Sequence, residues 1–133
     1  MMPLARYPDA RILAVDDEEA NLRLLRRVLE RAGYTRVHTT TDPRELLGLC
    51  RPETADLLLL DLHMPGMDGL ALISAVRAQG DGVCPPVLLL SGDPDPNLRA
   101  RALDGGATDF LAKPWEPAEL QERVGALLAA RLG

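Results

Sequence analysis

Five short apolar runs alternate with segments of a different period, and this alternation constrains the fold more than any other feature of the chain. The runs are Ile12-Leu13-Ala14-Val15, the weaker Val37-His38-Thr39-Thr40, Leu57-Leu58-Leu59-Leu60, Val87-Leu88-Leu89-Leu90 and Phe110-Leu111-Ala112. Continuous apolar stretches of this length suit strands buried on both faces, as in a parallel sheet. Four leucines alone could equally be helix; the polar and turn-forming residues that closely follow each run decide for strand. Between the runs the period lengthens. Leu22, Leu25, Leu29 and Ala32 fall on one helical face, followed by Gly33, which suits a helix end. Pro43 to Cys50 reads as a second helix with proline in its first turn. Leu70, Ile73 and Val76 mark a third, Asn97 to Asp104 a weaker fourth before Gly105-Gly106, and Leu120, Val124, Leu127 and Leu128 a last one after Pro117. Strands alternating with helices imply right-handed βαβ units. The expected fold is α/β: a doubly wound, five-stranded parallel sheet of order 2-1-3-4-5 with five helices.

The chain has 133 residues, the size of one domain. Residues 1–9 read as a flexible lead-in and 10–133 as the domain. A formal net charge of -5 argues against direct binding of nucleic acid, which needs clustered Lys and Arg. Cys50 and Cys84 lie far apart, without C-x-x-C spacing. With two His in the chain there is no zinc pattern, and free thiols in a reducing compartment are expected. The N-terminus has no long apolar leader, and no apolar run approaches the roughly 20 residues of a membrane span. The expected location is the cytoplasm, away from any membrane.

What ends each run matters more for function. The first ends in Asp16-Asp17, the third in Asp61, the fourth in Ser91 and the fifth in Lys113. In a parallel sheet all C-terminal strand ends share one edge, and ligand sites form there where strand order reverses. In the order 2-1-3-4-5 that point lies between strands 1 and 3, so Asp16, Asp17 and Asp61 share a crevice with Ser91 and Lys113 beside it. Three carboxylates in one crevice repel, which calls for raised pKa values or a bound cation. Oxygen ligands without His or Cys favour Mg²⁺ or Mn²⁺. A carboxylate beside such a cation and a lysine suits phosphoryl transfer. Taken singly, an Asp after a strand is ordinarily a turn former or helix cap, and Ser-Gly or Lys-Pro is ordinary loop chemistry. It is the joint pattern at successive strand ends that points to a site.

These motifs resemble those of the response-regulator receiver family. The resemblance covers roughly Arg11 to Leu132 and rests on Ile12-Leu13-Ala14-Val15-Asp16-Asp17-Glu18, Leu60-Asp61-Leu62-His63-Met64-Pro65-Gly66-Met67-Asp68-Gly69, Leu90-Ser91-Gly92 and Phe110-Leu111-Ala112-Lys113-Pro114. It implies a flavodoxin-like fold and a signalling phosphoacceptor, not an enzyme beyond Mg²⁺-dependent self-phosphorylation and autodephosphorylation. By the same resemblance, Asp61 is the phosphoacceptor, Asp17 a direct Mg²⁺ ligand, Asp16 a ligand through water, and the backbone carbonyl of His63 a further ligand. Ser91 bonds the acyl phosphate, Lys113 pairs with Asp61 and then with phosphoryl oxygens, and Lys113-Pro114 is a cis peptide. The implied donor is a phosphohistidine on a sensor histidine kinase or phosphotransfer protein. In the implied switch Ser91 moves toward the phosphoryl group and Phe110 turns inward, biasing the fourth helix, fifth strand and fifth helix, a face that also admits a homodimer.

Other residues carry less. His63 and Asp93 could tune phosphoryl lifetime; otherwise they are loop residues. His38 reads as structural, Met64 and Met67 as loop packing, and Trp115 as half-buried packing. Gly92 leaves room for a phosphodonor near Asp61. Arg23, Arg26, Arg27 and Arg31 form a solvated face or a docking face for the phosphodonor's helix, and Arg99 and Arg101 could join a dimer contact. A Mg²⁺-dependent phosphohydrolase would want an acid two residues after Asp61, where His63 stands. A flavin domain would want a glycine- and hydroxyl-rich loop where Asp16-Asp17-Glu18-Glu19 stands. The intact acidic set argues against a phosphate-independent interaction module. The motif wording also resembles receivers attached to cyclic-di-nucleotide phosphodiesterases or kinases. The end at Ala129–Gly133 is a place where a longer protein could be cut, so the chain reads as a whole regulator or as the N-terminal part of one.

Overall fold

The computed structural model describes residues 5–49, 54–64, 67–79, 85–93 and 95–133. The strands are β1 (Arg11–Val15), β2 (Arg36–Thr40), β3 (Leu57–Asp61), β4 (Val87–Ser91) and β5 (Asp109–Ala112). They alternate with α1 (Glu19–Arg31), α2 (Pro43–Leu49), α3 (Gly69–Gln79), α4 (Pro96–Asp104) and α5 (Pro117–Leu132). All pairings within the five-stranded sheet are parallel and the order is β2-β1-β3-β4-β5. The expected α/β architecture is therefore the observed one. The Cys50 end assigned to the second helix, and Cys84, lie outside the described residues.

Side chains alternate across the pleat, which explains why the central runs are apolar throughout. Ile12, Ala14, Leu57, Leu59, Leu88, Leu90 and Leu111 pack with Leu22, Leu25 and Leu29 of α1 and Leu120, Val124 and Leu128 of α5. Leu13, Val15, Leu58, Leu60, Val87, Leu89 and Phe110 pack with Leu46 of α2, Leu72, Ile73 and Val76 of α3 and Leu98 and Ala102 of α4. β2 is the weak run because it is an edge strand, with Arg36 and His38 exposed. Arg26 of α1 donates to the Val37 carbonyl and the Thr39 hydroxyl, both at 3.1 Å, covering part of that edge.

Local chemistry sets the helix starts. The Asp95 side chain accepts the Asn97 N–H at 2.9 Å, which caps α4 one residue earlier than expected, with Pro96 in its first turn. Glu116 and Glu119 form a capping box at the start of α5. Gly33, at φ +106, turns the chain out of α1, where few other residues fit. Residues 5–9, expected as a flexible lead-in, pack against this corner. Ala5 N–H donates to the Ala32 carbonyl, Thr35 N–H donates to the Pro8 carbonyl at 3.0 Å, and Tyr7 rests on the core. The segment after β3, read as plain loop, contains a two-residue antiparallel ribbon pairing His63–Met64 with Met67–Asp68. No helix among the described residues is long and apolar enough to cross a membrane.

Candidate functional site

Register builds the site. Val15 pairs with Leu60, so Asp16, the next residue, comes alongside Asp61 at the end of β3. Asp61 pairs with Leu90, and Ser91 with Ala112, which brings Ser91 and Lys113 to the same edge. Ligand atoms of Asp16, Asp17 and Asp61 all lie within 4.8 Å of one another. The Lys113 ammonium is 3.4 Å from Asp61 Oδ1 and 3.5 Å from Asp16 Oδ2. The Lys113 N–H donates to the Ser91 carbonyl at 2.8 Å, and the Lys113–Pro114 peptide is cis, as expected. The side chains of Asp16, Asp17, Asp61 and Lys113 are thus gathered there, with Ser91 at the same edge.

The environments of the carboxylates differ. Asp16 is 1% exposed; its Oδ1 accepts the Glu18 N–H at 2.9 Å, while Oδ2 has no hydrogen-bond partner. Asp61 is buried and Asp17 exposed. The Asp17 carboxyl is held above the usual carboxylate range, first by loss of surrounding water, then by hydrogen bonding and charge from Asp16, with a smaller push from Asp61. Among the described residues three acids face one ammonium, and the deeply buried Asp16 Oδ2 has that ammonium at 3.5 Å but no hydrogen bond. An all-oxygen cluster of this kind could hold a hard divalent cation, which would satisfy that oxygen and offset the surplus charge. His63 stands two residues past Asp61, at the start of the ribbon. The side chains of His63, Met64 and Met67 lie outside the described residues.

Ser91 is fully buried, and its Oγ accepts the Asp93 N–H at 3.0 Å. The Asp93 carboxylate accepts the Asp95 N–H at 3.0 Å, linking the Ser91 loop to the start of α4. Among the described residues, a methyl added at Gly92 would meet only the Lys113 Cβ, at 3.8 Å, an ordinary contact. At Gly69 it would lie 2.7 Å from the Leu62 carbonyl oxygen, so the return from the ribbon into α3 needs glycine. Trp115 is half-buried against the α1–α5 core, as expected. His38 and the four α1 arginines are exposed. Phe110 is buried, 6% exposed, with the Arg99 guanidinium 5.9 Å from its ring centroid. Sequence reasoning also missed a cluster at the opposite sheet edge, where buried Asp56 binds Arg11 through its backbone N–H at 2.8 Å and its guanidinium at 3.0 Å. Arg131 of α5 comes within 3.5 Å of the same carboxylate. The residues lie 45 and 75 positions from Asp56 in sequence, so only folding brings them together.

A profile of the response regulator receiver domain matches residues 12–125. The chain belongs to the response-regulator receiver family. The receiver is 41% identical over 118 residues to the response regulator MprA of Mycolicibacterium vanbaalenii, a match covering 89% of this chain and 50% of that protein. It is 39% identical over 121 residues to the cyclic di-GMP phosphodiesterase response regulator RpfG of Xanthomonas campestris pv. campestris, covering 90% of the chain and 32% of that protein. The receiver thus spans half or less of the length of these two curated relatives. Among solved structures it is similar to the chemotaxis protein CheY4 of Vibrio cholerae, with TM-score 0.80 and 32% identity, covering 90% of this chain and 98% of that one. It is also similar to the receiver domain of an HD domain-containing protein from Pseudomonas fluorescens, with TM-score 0.79 and 31% identity, covering 93% and 90%.

Proposed function

We propose that this receiver accepts a phosphoryl group on Asp61 from a phosphohistidine of a sensor kinase or phosphotransfer protein, with Mg²⁺ held by Asp16, Asp17, Asp61 and the His63 carbonyl. The observation that carries the reading is the gathering of three carboxylates within 4.8 Å, with the Lys113 ammonium 3.4 Å from Asp61. An Asp61 oxygen attacks phosphorus in line, the new P–O bond replaces the donor's P–N bond, and the imidazole leaves neutral after taking a proton. Lys113, already paired with Asp61, follows the charge onto the phosphoryl oxygens. The Ser91 hydroxyl accepts from Asp93 and still has its own proton to donate to the acyl phosphate. Bound Mg²⁺ supplies neutralisation of phosphoryl charge; Mn²⁺ fits the same donor set.

A groove of ≈ 320 Å³ beside the acids is lined by Leu24 and Leu25 of α1 and by Pro114 and Trp115, with Leu24 50% exposed. Its apolar floor and the exposed α1 arginines suit the docking of the phosphodonor's helix. Phosphorylation then biases Ser91, Phe110 and the α4-β5-α5 face toward a partner, an attached output domain or a second copy. The domain works in the cytoplasm and makes no direct contact with nucleic acid.

The test is intact-mass analysis after incubation with acetyl phosphate, with and without Mg²⁺. A single phosphoryl adduct that needs both Mg²⁺ and Asp61, and is absent in Asp61→Asn, supports the reading. A folded wild type that takes no phosphoryl group from acetyl phosphate or from phosphorylated kinase partners overturns it.

A further inference from the structure

Among the described residues β2 pairs with β1 alone, so its outer side is an edge of the sheet. The Thr40 carbonyl turns inward, where it accepts the Asp16 N–H at 3.4 Å. Backbone groups alternate in direction along a strand, so the N–H and C=O of Val37 and Thr39 turn outward. A row of outward groups on an edge is a template for another strand. The start of this edge is occupied: the Thr35 N–H and hydroxyl both donate to the Pro8 carbonyl, at 3.0 and 3.1 Å. The middle is occupied by a single side chain. Arg26, exposed on α1, reaches round the edge and donates to the outward Val37 carbonyl and to the Thr39 hydroxyl, both at 3.1 Å. A groove of ≈ 540 Å³, whose lining includes Arg26, His38, Thr39 and Thr41, leaves the edge open to approach beside that arginine.

We propose that the outer edge of β2 is a pairing surface for a second copy of this chain, and that Arg26 holds it closed. The edge is complementary to itself. An antiparallel pair centred on His38 sets Val37 of each copy opposite Thr39 of the other, related by a two-fold axis. Both are outward residues, so each N–H meets the C=O across from it, and both are β-branched, which suits a cross-strand pair. The same register sets the charged Arg36 opposite the neutral Thr40, so the two copies' arginines do not face each other. The Val37 carbonyl that such a pair needs is the one Arg26 occupies, so strand pairing and the Arg26 contact exclude each other. This surface is separate from the α4-β5-α5 face, and its use calls for no phosphoryl group.

The test is sedimentation equilibrium of the whole chain over a concentration series, without phosphodonor, at about pH 8, where an ordinary imidazole is neutral. Arg26→Ala frees the edge, and alanine is a good helix former at an exposed site, so α1 is kept. A dimer of this variant forms without releasing one Arg26 contact per copy, and its association constant should rise about ten- to a hundredfold over the wild type. Amide exchange should slow at Val37 and Thr39 as the variant is concentrated. Adding Thr39→Pro removes an outward N–H while sparing the β1–β2 ladder, and should return Arg26→Ala to the wild type's weak association. An Arg26→Ala chain that associates no more than the wild type overturns the proposal. So does a dimer that survives Thr39→Pro, or one in which exchange at Val37 and Thr39 is unchanged; the exchange result stands whether or not the proline variant folds. A wild type that pairs through this edge as tightly as Arg26→Ala overturns the closing role of Arg26.

Discussion

Neutralising Asp16 should stabilise the metal-free domain, the opposite of what most buried substitutions do. Asp16→Asn keeps the Oδ1 acceptor for the Glu18 N–H at 2.9 Å and replaces Oδ2, which has the Lys113 ammonium at 3.5 Å but no hydrogen bond, with an NH₂ group beside the other two acids. At an effective dielectric near 20, a like charge at 4.8 Å costs about 3–4 kcal/mol and a nearer one more, with less for the exposed Asp17. The Lys113 ammonium at 3.5 Å returns about 5 kcal/mol on the same scale. With the exposed Asp17 discounted, the repulsion from the two acids and the attraction to Lys113 nearly cancel, which leaves the burial of a carboxylate oxygen without a hydrogen bond, on the order of 1–3 kcal/mol. For a domain of this size that corresponds to a rise of roughly 4–10 °C in Tm. The assay is thermal unfolding of wild type and variant in chelator and then in a Mg²⁺ series. The wild type should gain about 2.7 kcal/mol when Mg²⁺ reaches a hundredfold its Kd, and the variant much less. An Asp16→Asn domain that melts below the wild type in chelator would falsify the reasoning.

Other outcomes follow from single features of the structure. The raised Asp17 carboxyl binds its proton more tightly folded than unfolded, so its contribution to stability is present at low pH and lost as pH rises through its folded pKa. Metal-free wild type should therefore lose stability at this group as pH rises from about 4 through the folded pKa, and Asp16→Asn should flatten that slope in pH-dependent melts. Asp56 has the opposite sign. The Arg11 hydrogen bonds hold its carboxyl below the usual range, so its stabilisation holds at neutral pH and fades as pH falls through the folded pKa. Asp56→Ala should cost about 2–3 kcal/mol at pH 7 in urea unfolding, discounted for the part-exposed Arg11, and the loss should shrink in acid. Gly69→Ala drives a methyl into the Leu62 backbone and should cost about 1–3 kcal/mol while slowing acetyl phosphate labelling of Asp61; equal rates and stability would show that the loop relaxes freely. Lys113→Met should slow that labelling by about a hundredfold or more without moving the adduct from Asp61, checked by peptide mapping.

The acid pair, the acceptor acid, the hydroxyl and the lysine were legible in sequence because each directly follows an apolar run long enough to be a buried parallel strand. Such a strand must present its next residues at the common C-terminal edge, so position in the chain translates into position in space. Asp16, Asp17, Asp61 and Lys113 therefore met as expected, with Ser91 at the same edge. Where the signal depends on contact between distant segments, the pattern was silent. Nothing local to Arg11, Asp56 or Arg131 announces a shared carboxylate, since each alone is an ordinary charged residue near an element end. The two-residue ribbon after β3 is too short to carry a period of its own.

The sequence by itself determined the fold class and the chemistry of the strand-end edge, because hydrophobic period and strand polarity act over a few residues and leave few topologies. Only the tertiary structure decided the environment of each group: which Asp16 oxygen lacks a hydrogen bond, that residues 5–9 are held against the end of α1, and that Phe110 is buried beneath Arg99. Desolvation, ion pairing and ring packing depend on what the rest of the chain brings within a few ångströms, and that is fixed only when the core closes.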